Sequence, residues 1–232
     1  MLRYWLLFKI TNKGSMGNQY FNDYYDQMMY TGLVGYFSNH VHKKIKRLVM
    51  SRINGAMDKI FEPGCGAGQH SNYYEFENVY IQGDKDKELV LKANKFSLGN
   101  KNFLVCDTEK LPFKNNTFSI LVATCLLCHV YHLEQAICEW RRVIKKDGTL
   151  IIYVPTEPGL ALTMIRYFTT TRKGKRMGFD HANQIAKDHR NHYPLMKSTI
   201  LSNFAKSKII VHKFPFLPFW HLRLYDIFEI RK

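Results

Sequence analysis

The sequence predicts an α/β fold built on a parallel sheet with helices on both faces. Three observations carry that expectation. Short apolar runs bounded by turn residues alternate with amphipathic segments between residues 40 and 155, and such alternation with short loops implies parallel strands covered on both sides. Three glycines, Gly64, Gly66 and Gly68, turn the chain out of the first apolar run. The chain ends in two strand-like runs, SKIIVHKF and HLRLYDIFEI, and their short join PFLPFW favours an antiparallel hairpin. At 232 residues the chain suits one such domain with an insertion.

Residues 1–50 read as an N-terminal arm with capping helices. Tyr24 and Tyr25 fall in a Tyr- and Met-rich stretch of that arm, where they either close a cleft against water or pack as core. Further on, Val41, Ile45 and Leu48 recur at helical spacing over 40–50. Met57, Ile60 and Phe61 predict a first strand over 57–62, ended by Glu62 and Pro63, and a helix is expected near 69–76. A second strand over 78–83 runs to Asp84, and Leu89, Val90 and Ala93 set a helix over 86–96. KNFLVCD is the third strand, ending at Asp107, and the apolar run from Phe118 is the fourth, over 118–124. Leu133, Ala136, Ile137, Trp140 and Ile144 form the apolar stripe of a helix over 133–144, with Lys146-Asp147-Gly148 as its stop signal. TLIIYVP, 149–155, is the fifth strand, closed by Pro155. Residues 156–200 interrupt the alternation with basic, helix-like segments.

The formal charge is +15, and it is uneven: from position 160 on, 14 Lys and Arg stand against four acids. A field of one sign attracts anionic partners, whether phosphorylated metabolites, acidic glycans, nucleic acid or an anionic membrane. Five cysteines, most of them in apolar runs, read as small hydrophobes in a reducing, cytoplasmic protein. Cys125-x-x-Cys128 has no second pair, so no metal site is expected. The start, MLRYWLLFKI, is too short to span a bilayer and lacks the small-residue site of a signal peptide. Residues 1–16 are expected to be a poorly ordered terminus, and peripheral contact with a membrane stays open.

The glycine turn and the acids around it carry the chemistry. A glycine at a strand-to-helix turn lets a ligand approach the backbone, and α/β folds build nucleotide pockets there. The spacing differs from the dinucleotide fingerprint, which sets its third glycine one residue later, and the Lys-Ser/Thr of a phosphate-binding loop is missing. Three strands end in an acid: Glu62, Asp84 and Asp107. The carboxyl ends of parallel strands form the ligand crevice, so one cleft is expected to hold all three. A carboxylate at Glu62 would repel a pyrophosphate and pair with an ammonium group. Asp84, 16 residues past Gly68, is placed to accept ribose hydroxyls, and Asp107 an adenine amine.

In this order the motifs resemble the class I S-adenosylmethionine-dependent methyltransferases, small-molecule type. The resemblance rests on Phe61–Gly68, Gln82-Gly83-Asp84, Cys106–Phe113, Phe118–His129 and Glu139–Gly148, and covers about residues 56–154. Two positions depart from the family pattern: Asn116 or Thr117 stands where an Asp often precedes the fourth strand, and Asp147-Gly148 replaces Gly-Gly. The resemblance implies a three-layer Rossmann-like sandwich with a mostly parallel seven-stranded sheet. Its last strand is antiparallel, and a helical, acceptor-binding insertion (156–200) follows strand five within a domain over 51–232. It implies S-adenosyl-L-methionine as cofactor. Glu62, Gly64, Cys65, Gly66 and Gly68 would meet the methionine moiety, Asp84 and Lys85 the ribose, and Asp107 and Thr108 the adenine. Thr124 and Cys125 would lie near the sulfonium.

Methyl transfer from a sulfonium is an in-line displacement. The protein has to align the acceptor and take up its proton where the acceptor is a hydroxyl. His129, which the resemblance sets beside the methyl group, is the first candidate base. The second is the cluster Asp188–Tyr193 with His189 and His192. The expected activity is methylation of a hydroxyl or amine on a small anionic acceptor, such as a nucleotide-sugar, phosphorylated or glycan intermediate. The Asn/Asp-Pro-Pro-Tyr motif of many base methylating enzymes is replaced by Thr124-Cys125-Leu126-Leu127. A tRNA or rRNA methyltransferase and a non-catalytic cofactor-binding regulator remain the alternatives.

Overall fold

A computed structural model of the protein describes residues 31–74, 78–97 and 101–232. The reading of residues 1–16 and of Tyr24 and Tyr25 therefore falls outside the described residues. Helix α1 (Gly32–Met50) leads into strand β1 (Lys59–Pro63) and the glycine turn. Then come β2 (Val79–Asp84), α2 (Lys87–Phe96), β3 (Lys101–Val105), β4 (Phe118–Thr124), α3 (Leu133–Val143) and β5 (Ile144–Pro155). The insertion holds α4 (Leu160–Arg166), α5 (Arg172–Arg176), α6 (His181–Asp188) and α7 (Tyr193–Asn203), with a π-helical turn at Tyr167–Thr171. Strands β6 (Lys208–Phe214) and β7 (Tyr225–Arg231) close the fold.

The seven strands lie in the order β3-β2-β1-β4-β5-β7-β6, and β7 alone runs antiparallel to its neighbours on both sides. Alternation along the strands explains why both faces need cover. Phe61, Leu121, Ile152 and Phe228 point into one core with Ile137, Trp140 and Ile200. Their neighbours Ile60, Ile120, Ile151 and Ile227 point into the other with Val41, Ile45 and Val49 of α1. Successive strand residues face opposite ways, so near-continuous apolar strands are the signature of a sheet buried on both sides. Among the described residues no helix is long and apolar enough to cross a membrane.

The order matters for function. The chain builds outward from β1 through β2 to β3, then crosses back to β4 on the other side of β1. Connections diverge at such a reversal, leaving a crevice beyond the carboxyl ends of the two strands. Here that crevice falls between Pro63 and Thr124. Two surface hollows open at the opposite, amino-terminal ends of the central strands, one along Lys59, Asn115, Thr117 and Lys145, the other along Asn54, Asp58, Ser119 and Asp147.

Three local expectations change. Met57 is 89% exposed and β1 starts at Lys59, because the ladder with β2 begins at Lys59 against Val79. Over 69–74 the expected helix is only a 3-10 turn, Ser71–Tyr73. The His70 ring is fixed there between His42 Nδ1 (2.8 Å) and the Tyr74 hydroxyl (2.7 Å), and Tyr74 N–H bonds back to Ser71 three residues away. Finally, Lys146-Asp147-Gly148 does not separate helix from strand, since β5 begins directly at Ile144, paired with Phe118. A bulge between Phe118 and Ile120 absorbs the offset.

Trp140 is fully buried, and its indole N–H donates to Thr108 Oγ1 at 2.7 Å. Trp140→Ala is expected to cost about 3–5 kcal/mol in urea unfolding, measured against the wild-type midpoint and slope.

Candidate functional site

The glycine turn is locked in a left-handed conformation. Gly64, Gly66 and Gly68 have φ of 64°, 54° and 79°, a region that side chains disfavour. A Cβ on Gly64 would run into Leu126, and one on Gly68 would press against Ala93 of α2 at 3.0 Å. Nothing lies within 4 Å of the corresponding point on Gly66. The turn is thus tight against protein at its ends and open in its middle. Its backbone is tied to β2: Gly66 N–H donates to Asp84 Oδ2 at 2.9 Å, and Cys65 N–H to the Gly83 carbonyl at 3.0 Å. Asp84 Oδ1 accepts from Asp86 N–H at 2.9 Å. Burial raises the Asp84 pKa, against the pull of these backbone bonds.

Glu62 is completely buried. The Tyr80 hydroxyl donates to it at 2.8 Å and the Thr124 hydroxyl at 3.4 Å. Burial pushes its pKa up to about 8 despite those bonds, so the carboxyl is largely protonated at neutral pH. Beside it, the Gln82 side chain is fully buried with neither amide atom hydrogen-bonded, and its Oε1 lies close to Gly68. An unpartnered buried amide next to an open glycine turn fits a polar ligand's arrival there.

Asp107 is exposed and accepts from Glu109 N–H at 2.9 Å. Thr108 is joined to Trp140. Lys85 stands over the Tyr131 ring at 5.3 Å, and the Arg190 guanidinium stacks on the same ring at 4.0 Å. Arg190 also donates to the Tyr131 hydroxyl at 2.9 Å. The mouth of the cleft is therefore cationic.

Beyond Thr124 the chain turns sharply at Cys125, whose φ is 56°. Cys125 Sγ lies 3.8 Å from Cys128 Sγ. A ring nitrogen of His129 lies within 4.8 Å of the Cys125 and Cys128 sulfurs. Its ring packs edge-on against His189 at 4.6 Å. His189 Nδ1 meets Glu157 Oε2 at 2.5 Å, and Glu157 also pairs with Arg166. Burial opposes ionisation of Glu157, but His189 and Arg166 hold its pKa down at about 2. Burial lowers the His129 pKa, yet its contacts with Cys125 more than reverse the shift.

The fold thus brings Glu62, Gly64–Gly68 and Asp84 together, and gathers Thr124, Cys125, His129 and His189 beyond them. Asp107 and Thr108 lie on the outer side after β3. His192 is exposed at the start of α7 and does not join the histidine pair. Glu157, Arg166 and Tyr80 were not singled out by the sequence, and Cys128 only as half of a Cys-x-x-Cys pair not expected to bind metal. Glu157 follows β5 as the other acids follow their strands, the one signal that would have found it.

The reversal-point crevice, the left-handed glycine turn and the acid closing β2 define a class I methyltransferase fold. Residues 61–152 match the family described as a methyltransferase domain. It is 29% identical over 129 residues to an uncharacterised protein of Methanocaldococcus jannaschii, spanning 55% of this chain and 54% of that one. It is 37% identical over 71 residues to the ubiquinone/menaquinone biosynthesis C-methyltransferase UbiE of Ectopseudomonas mendocina, spanning 31% of this chain and 28% of UbiE. The matched stretch is thus about half or less of either relative's length. Among solved structures, the CurJ carbon methyltransferase superposes with a TM-score of 0.60 at 14% identity, over 88% of this chain and 56% of that one. A Pyrococcus horikoshii protein gives 0.60 at 15% identity, over 92% and 99%.

Glu62 makes stability depend on pH in a defined direction. Its folded pKa lies above the ordinary 4.5, so its contribution is complete below that value and is lost as pH rises toward about 8. The unfolding free energy from urea titration should therefore fall between pH 5 and pH 8, by up to about 1.4 kcal/mol per pH unit. Glu62→Gln should flatten the profile in that window, whereas an unchanged slope would assign the effect to another group.

Proposed function

We propose that the chain transfers the methyl group of S-adenosyl-L-methionine to a hydroxyl or amine of a small anionic acceptor. The observation that carries this reading is the open glycine turn bonded to Asp84 at the reversal point of the sheet, with Glu62 and Gln82 buried beneath it. The cofactor, when bound, supplies an electrophilic methyl on a sulfonium. The chain's own residues would do the rest. The backbone of Gly64, Cys65, Gly66 and Gly68 would hold the methionine moiety. Glu62 would take up its negative form again when the ammonium group arrives, since an adjacent cation favours the charged carboxylate. Asp84, flanked by Lys85, would accept the ribose hydroxyls, and Asp107 and Thr108 would receive the adenine. Thr124 and Cys125 would border the sulfonium.

The role of base passes from His129 to His189. His129 is turned toward the two cysteine sulfurs, with a ring nitrogen within 4.8 Å of both. His189 gives its Nδ1 to Glu157, so Nε2 is the nitrogen that would take the acceptor's proton while Glu157 steadies the cation that forms. The acceptor's negative charge is supported by Lys85 and Arg190 around Tyr131, a pairing that suits phosphate or carboxylate.

Asp84→Ala should abolish S-adenosylhomocysteine binding in calorimetry while leaving the circular dichroism spectrum intact; unchanged affinity would sink the site assignment. His189→Ala should lower turnover by about 10²–10⁴-fold with the cofactor Kd unchanged. The acceptor itself is found by mass spectrometry of an extract incubated with enzyme and methyl-labelled cofactor. Salt-sensitive retention of total RNA on filters would instead favour an RNA substrate.

A further inference from the structure

The exit of β4 gathers three donor groups from a stretch of five residues. Cys125, Cys128 and His129 each offer one ligating atom, and all three atoms lie within 4.8 Å of one another. The two sulfurs are 3.8 Å apart. A tetrahedral zinc with Zn–S bonds of about 2.3 Å needs sulfurs about 3.8 Å apart, whereas a disulfide needs them about 2.05 Å apart. The His129 ring stands edge-on to His189 with centroids 4.6 Å apart, and a ring nitrogen lies within 4.8 Å of both sulfurs.

The loop is held in this shape. Cys125 sits at φ 56°, a conformation costly for any residue with a side chain. The Cys128 carbonyl accepts from Arg190 and Asn191 N–H at 2.8 and 3.3 Å. The Asn191 side chain donates to the carbonyls of Leu127 and Val130, both at 2.8 Å. The insertion thus pins the loop from 127 to 130, and the backbone conformation that faces the two thiols together is fixed by the fold.

We propose that Cys125, Cys128 and His129 bind one zinc ion, whose fourth position stays open for the hydroxyl of the methyl acceptor. The ion displaces two thiol protons, one of which Cys128 gives to the Cys125 carbonyl in the metal-free protein. Two thiolates and a neutral imidazole balance its charge. Three protein ligands and one open position are the pattern of catalytic rather than structural zinc. Zinc makes a bound hydroxyl more acidic, and the released proton goes to His189 Nε2, against whose ring His129 packs. The acceptor half of this inference rests on the methyltransferase reading above; the metal half does not.

Protein purified without chelators should carry about one zinc per chain by atomic emission. Cobalt(II) in its place should give the intense visible absorption of a tetrahedral site and a sulfur-to-cobalt charge-transfer band. Cys128→Ser should abolish that band, and azide should shift the visible absorption by entering the open position. Wild-type protein that takes up neither metal, with both cysteines free or joined in a disulfide, would overturn the proposal. A cobalt spectrum indifferent to azide would overturn the open position. S-adenosylhomocysteine affinity should stay within about twofold in metal-free protein. Its absence in both metal-loaded and metal-free forms would count against the methyltransferase reading and leave the metal result standing.

Discussion

The buried carboxyl of Glu62 joins the three strands on which the crevice is built. It ends β1, accepts a hydroxyl from Tyr80 on β2, and meets Thr124 at the end of β4. An ionised carboxylate without a cation in such surroundings is expensive, and the protein meets that cost by holding the group largely protonated. The glycine turn sits directly above. Its shape follows from the same packing, because Leu126 fills the space over Gly64 and α2 fills the space beside Gly68. What stays open is the middle of the turn, above a buried polar layer of Glu62 and Gln82. A cationic, hydrogen-bonding ligand would satisfy that layer better than the protein alone does.

A second constraint comes from the insertion. It is bound into the core through the backbone: Cys128 accepts from Arg190 and Asn191, and Tyr193 N–H donates to the Glu157 carbonyl at 2.7 Å. Buried backbone groups must find partners, and here the turn after β4 and the segment after β5 find theirs in residues more than thirty positions away. The same ties set His189 against His129 and Glu157. The basic character of the last third reads differently in this light. Arg166 is paired with Glu157, Arg223 with Asp226, and Arg52 from after α1 with Glu229. Two of its cations, Arg166 and Arg223, therefore pair with acids beside strands β5 and β7.

Much of the fold was legible in local pattern. The fourth strand, Phe118–Thr124, follows from an apolar run closed by turn residues, and the α2 start follows from Asp86, which caps the N–H groups of Glu88 and Leu89. Where the pattern misled, long-range contacts decided. Met57 is apolar yet has no sheet partner, and the stretch after Gln69 gives up helical bonding so that His70 can meet His42 from a helix earlier in the chain. Gly148 resembles a helix stop but is accommodated in the strand, because β4 offers Ile144 a partner before the bulge.

By itself the sequence determined the alternating order, the glycine turn and the acids closing the strands, because each depends on a residue's own conformational preference or on burial periodicity over a few positions. It did not determine which distant groups share an environment. Glu157 and His189 are 32 positions apart, and their contact, like the gathering of Cys125, Cys128 and His129 against His189, exists only once the insertion is folded onto the end of β4. Proximity between side chains far apart in sequence is set by packing and hydrogen bonding across the whole domain, and no local spacing encodes it.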